Sequence, residues 1–435
     1  MDKQMAETLV RTNPGTSLGN VMRRYWVPIL LSREIADRDC PQIRVKIMGE
    51  QLLAFRDSDG HPGLISEFCS HRGASLFFGR NEENGIRCGY HGVKFDRHGR
   101  CVDVPSLPKT REACQHLDIK AYPCIERAGI VWAYLGPKDK QPEPPNLEWC
   151  TLPESHVFVS KRWQECNYLQ AMEGGIDTSH VSYAHAYEVA DDPLHKDSKA
   201  LKYFADGNVI FEVEQQPHGL TMFGRRNGEP DSYYWRITQW LFPWYTLIPP
   251  FGDHAMGGHA WIPIDDENCW AWSINFHPTR PLTKEERAAC EAGQGIHCPY
   301  EPGTDVPGGS FRPKANKDND YLIDRKGQKK KLTYTGVYGI ATQDTSLQES
   351  MGPIQDRSDE KEILLPTDRA IVMARRMLHE AAVANSLTPD ADPPAVSSDR
   401  QYVRAAGVLL PRGQKPQAWA AEHLNNGKDK PVYSV

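Results

Sequence analysis

The tightest constraint on this chain lies in two short segments, FCSHRGASL at 68–76 and RCGYHGVKF at 87–95. Each carries one cysteine and one histidine close together: Cys69 with His71, and Cys88 with His91. Sixteen residues lie between His71 and Cys88. Two cysteines and two histidines at such local spacing read as a metal site. Zinc fingers usually draw both cysteines from one knuckle and both histidines from the other. Mixed knuckles instead suit a two-iron cluster, with two thiolates on one iron and two imidazoles on the other. The neutral imidazoles raise its potential above that of an all-cysteine cluster. Gly73, Gly89 and Gly92 allow both loops to turn closely around it.

Composition sets outer bounds. A chain of 435 residues has room for two domains, and 39% apolar residues suffice for a buried core. A net charge of -6 gives no basic field for nucleic acid. The sequence has no apolar run of bilayer length, and its N-terminus lacks the basic-then-apolar layout of a signal peptide. A cytoplasmic protein with no membrane partner is expected. The eleven cysteines are odd in number and read as reduced thiols. Outside the two segments none has metal spacing, so each reads as a packed or partly exposed thiol.

Residues 20–140 alternate strand-like runs with turns such as DSDGHPG, which predicts a small all-β unit. The proline-rich, charged stretch 136–149 reads as a linker, giving domains of 1–150 and 151–435. The second part begins with helical spacing broken by Gly174–Gly175. Aromatic and β-branched strands follow at 209–227, 232–250 and 269–278. Residues 279–332, which include KGQKKK, read as a long surface excursion. Two helices are expected from 343 onward, the second with Arg375–Arg376 on a solvated face. The tail after 387 is expected to wrap the surface.

With Cys-x-His and Cys-x-x-His sixteen residues apart, the chain resembles the Rieske [2Fe–2S] ring-hydroxylating oxygenases. That resemblance implies an α+β chain: an all-β cluster domain, then a helix-grip, START-like catalytic domain with an antiparallel sheet and helices. It also implies a mononuclear non-haem iron held by two histidines and a carboxylate, with open positions for dioxygen and substrate. GIDTSHVSYAH resembles the family's Asp-x-x-His-x4-His motif and offers His180 and His185. Two histidines five apart on a regular helix point about 140° from each other. Sharing an iron therefore needs a distorted helix, for which the Gly-Gly pair and a π-type bulge are candidate causes. The carboxylate is Asp344 or Asp356. Gln343–Asp344 with Glu349 five residues on fits the family pattern, whereas Asp356 beside Arg357 reads as a surface ion pair.

Asp177 is not expected to ligate iron. The resemblance implies that it bridges His180 and His91 of the partner subunit, and so implies a homotrimer or a stacked homohexamer. Electrons would come from NADH through a separate flavin and iron–sulfur reductase. The segments NPGTSLGNVMRRYWVPILLSREI, QESMGPIQDR and ARRML resemble the phthalate dioxygenase branch. The implied reaction is cis-dihydroxylation of an aromatic carboxylate of phthalate, halobenzoate or phenoxybenzoate type. O-demethylation of a methoxylated aromatic acid is the alternative. An anionic substrate calls for arginine, and Arg225, Arg226 and Arg236 are candidates, together with Ser179 and Asn167. Two other classes compete with this reading. A stand-alone electron carrier predicts one iron site only. A zinc-stabilised interaction protein predicts a colourless chain.

Overall fold

The computed structural model describes residues 1–107, 112, 114–187, 192–195, 198–204, 206–304, 309–425 and 431–435. The expected hairpins form in the first part. Ile43–Ile47, Glu50–Arg56 and Pro62–Ser66 make an antiparallel meander closed by Ala121–Tyr122. A second sheet runs Arg80–Glu82, Gly85–Arg87, Lys94–Asp96 and Cys101–Asp103. Cys88 and His91 occupy the turn between its second and third strands. Phe55, Ile65, Ile86 and Phe95 pack around Cys69 and Cys88 in one apolar cluster.

The second part is built on an antiparallel sheet of eight strands among the described residues. Seven follow one path: Val157–Gln164, Cys269–Phe276, Met256–Pro263, Tyr245–Ile248, Ser232–Leu241, Gly219–Asn227 and Ile210–Gln216. The eighth, Ala406–Pro411, pairs with Ser232–Leu241. The tail after 387 therefore does more than wrap the surface, because Val408 and Leu410 are buried and need a sheet neighbour. Met256–Pro263 and Cys269–Phe276 are buried at every residue, so neither strand has a solvent-exposed face. The helix Tyr168–Ile176 packs across these two strands and Ser232–Leu241. The helix Arg369–Leu387 covers the Gly219–Asn227 side. Among the described residues, no helix is long and apolar enough to cross a membrane.

Three local expectations change. Residues 279–332 carry the helix Lys284–Glu291 and bury His297, Cys298, Phe311 and Asn316, so the excursion is largely anchored. Arg375 is buried rather than solvated: it spans Glu173 at 2.7 Å and Glu362 at 2.6 Å. Arg357 also joins Glu173, at 3.2 Å, and leaves Asp356 exposed and bonded to the Ser358 amide.

Gly174 and Gly175 do not interrupt their helix, which runs on to Ile176. They let it approach its neighbours. A Cβ on Gly175 would stand 2.1 Å from the Trp261 ring, and one on Gly174 2.2 Å from Gln348 Nε2. Trp261 is a buried sheet residue and cannot swing aside. Gly175→Ala is therefore expected to destabilise the fold by about 1–3 kcal/mol, read as a lower midpoint in thermal unfolding.

The two halves share backbone bonds. The Met48 and Gly49 amides donate to Pro263 O and Ile264 O at 2.9 Å each. Lys161 reaches Glu34 at 2.8 Å. At the chain start, Val10 O accepts from Asn167 Nδ2 and Leu9 O from the Tyr168 hydroxyl. The helix Ser17–Met22 packs on Arg369–Leu387.

Candidate metal centre

The Tyr168–Ile176 helix stops at Asp177, and His180–Ser182 form a single 3-10 turn. His180 and His185 thus sit on consecutive turns after a helix end, with no π-type bulge needed. Their rings lie 5.1 Å apart at 78°. Asp344 projects from the helix Ile340–Glu349, with Oδ1 3.5 Å from His180 Nε2 and 3.4 Å from His185 Nε2. Three donor atoms, one per residue, lie within 4.8 Å of one another. These separations are long for direct hydrogen bonds and leave space for a cation among the donors. Two imidazoles and one carboxylate fit ferrous iron with open positions.

The surroundings prepare these donors. Gln343 Oε1 takes a hydrogen bond from His185 Nδ1 at 2.7 Å, which leaves the Nε2 lone pair facing Asp344. Gln343 is held in turn by Val337 O at 2.9 Å and Thr333 Oγ1 at 3.2 Å. The sequence placed Gln343 beside Asp344 but gave no hint of this role. Fixing a ligand tautomer in this way is worth about 10–100-fold in metal affinity. Gln343→Leu is expected to weaken iron retention by that factor, measured by metal content after timed chelator treatment.

Burial pushes Asp344 upward, but His185, His180 and Arg162 outweigh it and hold the carboxyl well below the usual carboxylate range. Arg162 was not foreseen. It lies buried beneath the site and donates to Thr345 Oγ1 and Ser273 Oγ, both at 3.2 Å. Burial lowers His180, while Asp177 and Asp344 more than restore it. Asp177 Oδ2 stands 3.6 Å from His180 Nδ1, and Oδ1 accepts from the Ser179 amide at 2.7 Å and hydroxyl at 2.6 Å.

The cluster residues divide by depth. Cys69 and Cys88 are buried, whereas His71 is exposed and His91 half-exposed. The two rings lie 4.7 Å apart at 72°. Gly73 N donates to Cys69 O at 2.8 Å and Gly92 N to Cys88 O at 3.0 Å, closing the two tight loops. Gly73 and Gly92 both take positive φ, which a side chain would strain. Two sheltered thiols below two outward imidazoles fit a mixed-ligand two-iron cluster.

The remaining candidates separate. Asn167 caps its helix and spends its amide on Val10 O and Asp266 O, away from the iron donors. The Ser179 hydroxyl is committed to Asp177. Arg225 points to the opposite sheet face from Arg226 by strand alternation and stacks on Tyr233 at 4.4 Å. Arg226 and Arg236 share the face that meets the His180 turn, since Arg226 pairs with Tyr234 and Arg236 with Gly224. Arg226 donates to Ser182 Oγ at 3.0 Å, and Arg236 to Thr178 Oγ1 at 2.9 Å. Both are buried, and among the described residues neither has an acid within salt-bridge distance, although Asp206 acts on Arg226 and Asp177 on Arg236 from farther off. Arg226 Nε and Nη1 and Arg236 Nε find no hydrogen-bond partner there. Phe204 lies 4.8 Å from the Arg226 guanidinium and 5.1 Å from Phe251, on which His195 packs at 4.7 Å. Burial pulls His195 down to about 4, so it stands neutral near neutral pH.

A cluster fold joined to a second site of two histidines and a carboxylate defines an iron-dependent oxygenase of Rieske type. The family models agree: "Rieske [2Fe-2S] domain" matches residues 25–123, and "LigXa C-terminal domain like" matches 133–405. The 3-chlorobenzoate-3,4-dioxygenase oxygenase subunit of Comamonas testosteroni is 35% identical over 93% of this chain and 94% of its own. The phthalate 4,5-dioxygenase oxygenase subunit of Pseudomonas putida is 33% identical over 86% of this chain and 85% of its own. Among solved structures, the Pseudomonas putida NdmA QL mutant with caffeine aligns at TM-score 0.60 and 17% identity, covering 92% of this chain and all of that one. Dicamba monooxygenase bound to dicamba aligns at TM-score 0.57 and 16% identity, over 84% and 98%. These two show the shared fold. The chain belongs to the phthalate-dioxygenase-like group of Rieske oxygenases. Its cofactors are a Rieske [2Fe–2S] cluster and a mononuclear non-haem iron, with dioxygen as cosubstrate and a separate reductase.

Proposed function

We infer that the chain is the oxygenase component for cis-dihydroxylation of an aromatic carboxylate. His180, His185 and Asp344 hold the mononuclear iron, and Cys69, His71, Cys88 and His91 hold the cluster. The observation that carries the substrate class is the buried pair Arg226 and Arg236 beside the His180 turn, which have unpartnered guanidinium nitrogens among the described residues and feel Asp206 and Asp177 only from beyond salt-bridge distance. Burying an unpaired cation costs several kcal/mol, and a carboxylate between the two guanidinium groups would offset that cost with charge-assisted bonds. Phe204 and Phe251 offer an apolar wall for the ring. The two relatives, named for 3-chlorobenzoate and phthalate, support the same class.

When bound, the iron supplies dioxygen activation. The protein's part is to fix the ring carbon that faces it. Thr178 holds Arg236 two residues before His180, so carboxylate anchoring and ligand position are set by one turn. Gln343 keeps the proton of His185 on Nδ1.

The exposed rim supports a ring of copies. Phe78 and Tyr90, beside the outward histidines, are 74% and 60% exposed. Ile363 and Leu365 are 83% and 61% exposed on the segment before Asp368, whose carboxyl is raised by burial and by nearby Asp177. Sedimentation of the holoenzyme is expected to give a multiple of three chains; a monomer would remove this part of the reading.

The test of the reaction is product analysis with NADH, a phthalate-type reductase and a panel of phthalate, 3-chlorobenzoate, phenoxybenzoate and vanillate-like acids. A ring dihydrodiol is the expected product. Formaldehyde with a free phenol would move the enzyme to O-demethylation. Peroxide alone would end the aromatic-acid assignment.

A further inference from the structure

Two thiols outside the metal sites meet in the cluster half. Cys101, on the strand Cys101–Asp103, and Cys114 bring their sulfurs to 2.7 Å, against about 2.05 Å in a disulfide bond. Cys101 is buried in the apolar cluster that contains Cys69 and Cys88, and Cys114 is half-buried at its edge. The pair is tied to the iron–sulfur loops. Leu117 N donates to Cys114 O at 3.1 Å, and Leu117 O accepts from the hydroxyl of Ser70, which stands between Cys69 and His71. Asp118 Oδ1 accepts from Cys101 N at 2.9 Å. The segment 114–118 thus braces the first cluster loop and rests on the Cys101 strand.

We propose that Cys101 and Cys114 form a thiol–disulfide modification site that locks this brace. The oxidant is a small disulfide of the glutathione type. The Cys114 thiolate, the more accessible sulfur, attacks one sulfur of the oxidant and releases one thiolate. The Cys101 sulfur then attacks the mixed disulfide and releases the second. Two thiol hydrogens leave the protein as protons, two electrons pass to the oxidant, and one S–S bond forms. Burial pushes the Cys101 thiol up to about 12, with Cys114 adding to the effect, so Cys101 stays protonated while Cys114 reacts first, and its own attack relies on the mixed disulfide being held beside it. Closing the loop between residues 101 and 114 would restrict the chain around Ser70 and slow cluster loss on heating.

The test uses the holoenzyme. It is incubated with glutathione disulfide, alkylated, digested and mapped by mass spectrometry while the cluster's visible absorption is followed. The expected result is a Cys101–Cys114 linked peptide, two hydrogens lighter than the dithiol, with Cys40 alkylated and the cluster absorption unchanged. The oxidised protein is expected to bleach several-fold more slowly on heating than the reduced one, and Cys114→Ser is expected to abolish that difference. Alkylation of both cysteines, a stable mixed disulfide at Cys114, or equal bleaching rates in the two redox states of the native protein would each overturn the proposal. Peptide mapping of the native chain requires no variant, so the proposal stays testable if Cys114→Ser fails to fold.

Discussion

Replacing Asp344 with asparagine is expected to lower product formation by about a thousand-fold or more, with the cluster still reduced by NADH through the reductase. Asp344 is the single anionic donor of the three that converge within 4.8 Å. A metal's contribution to a transition state is several kcal/mol, and each 1.36 kcal/mol is tenfold in rate. The amide keeps the shape but not the charge, so metal content should fall with activity. The fold should survive, since the side chain's neighbours are His185, His180 and Arg162 rather than a packed apolar shell. The complementary change, His91→Ala, should reverse the pattern: cluster absorption lost, mononuclear iron retained. An Asp344→Asn enzyme with full iron and normal turnover would sink the ligand assignment.

The second large effect concerns the buried arginines. Arg236→Met is expected to reduce kcat/KM for an aromatic carboxylate by about 30- to 5000-fold, the range for removing one partner of a buried charge pair. Turnover of an uncharged analogue should change little. Stability should move the other way. Arg236 is buried with an unpartnered Nε, and burial lowers it to about 10, so the folded chain carries a charge at a cost. Methionine removes that cost, and the thermal midpoint is expected to hold or rise. Arg226→Met should behave alike, while Arg225→Met, on the other sheet face, should leave kcat/KM unchanged. Equal losses on charged and uncharged substrates would show that the arginines only hold the fold.

Much of this was legible in sequence because metal chemistry is written locally. Two ligand pairs in short loops, and two histidines after a helix end, are visible at spacings of two to five residues. The hairpins announced themselves through turns such as DSDGHPG, and the aromatic runs became sheet strands as expected. What escaped depends on distant partners. Nothing near Gly175 reveals that Trp261 lies against it. Arg375 sits on a helix whose local pattern offers it to solvent, and Glu173, far earlier in the chain, draws it inward together with Glu362. Arg162 is one polar residue on a strand, and its place beneath Asp344 follows from sheet order alone. Of the three arginines weighed for substrate, the strand register separates Arg225 from the other two.

The embrace of the chain's first residues by its second half has a consequence for synthesis. Leu9 bonds to Tyr168 and Val10 to Asn167, and Ser17–Met22 lies on Arg369–Leu387. A ribosome adding about 5–20 residues per second delivers the Arg369–Leu387 helix on the order of twenty to seventy seconds after the first two emerge. The iron–sulfur hairpins can close early, since their strand partners are all made by Tyr134. The leading helices must wait, apolar side exposed, until Leu387 has been made. Growth temperature and chaperone supply during expression should therefore affect the yield of active enzyme.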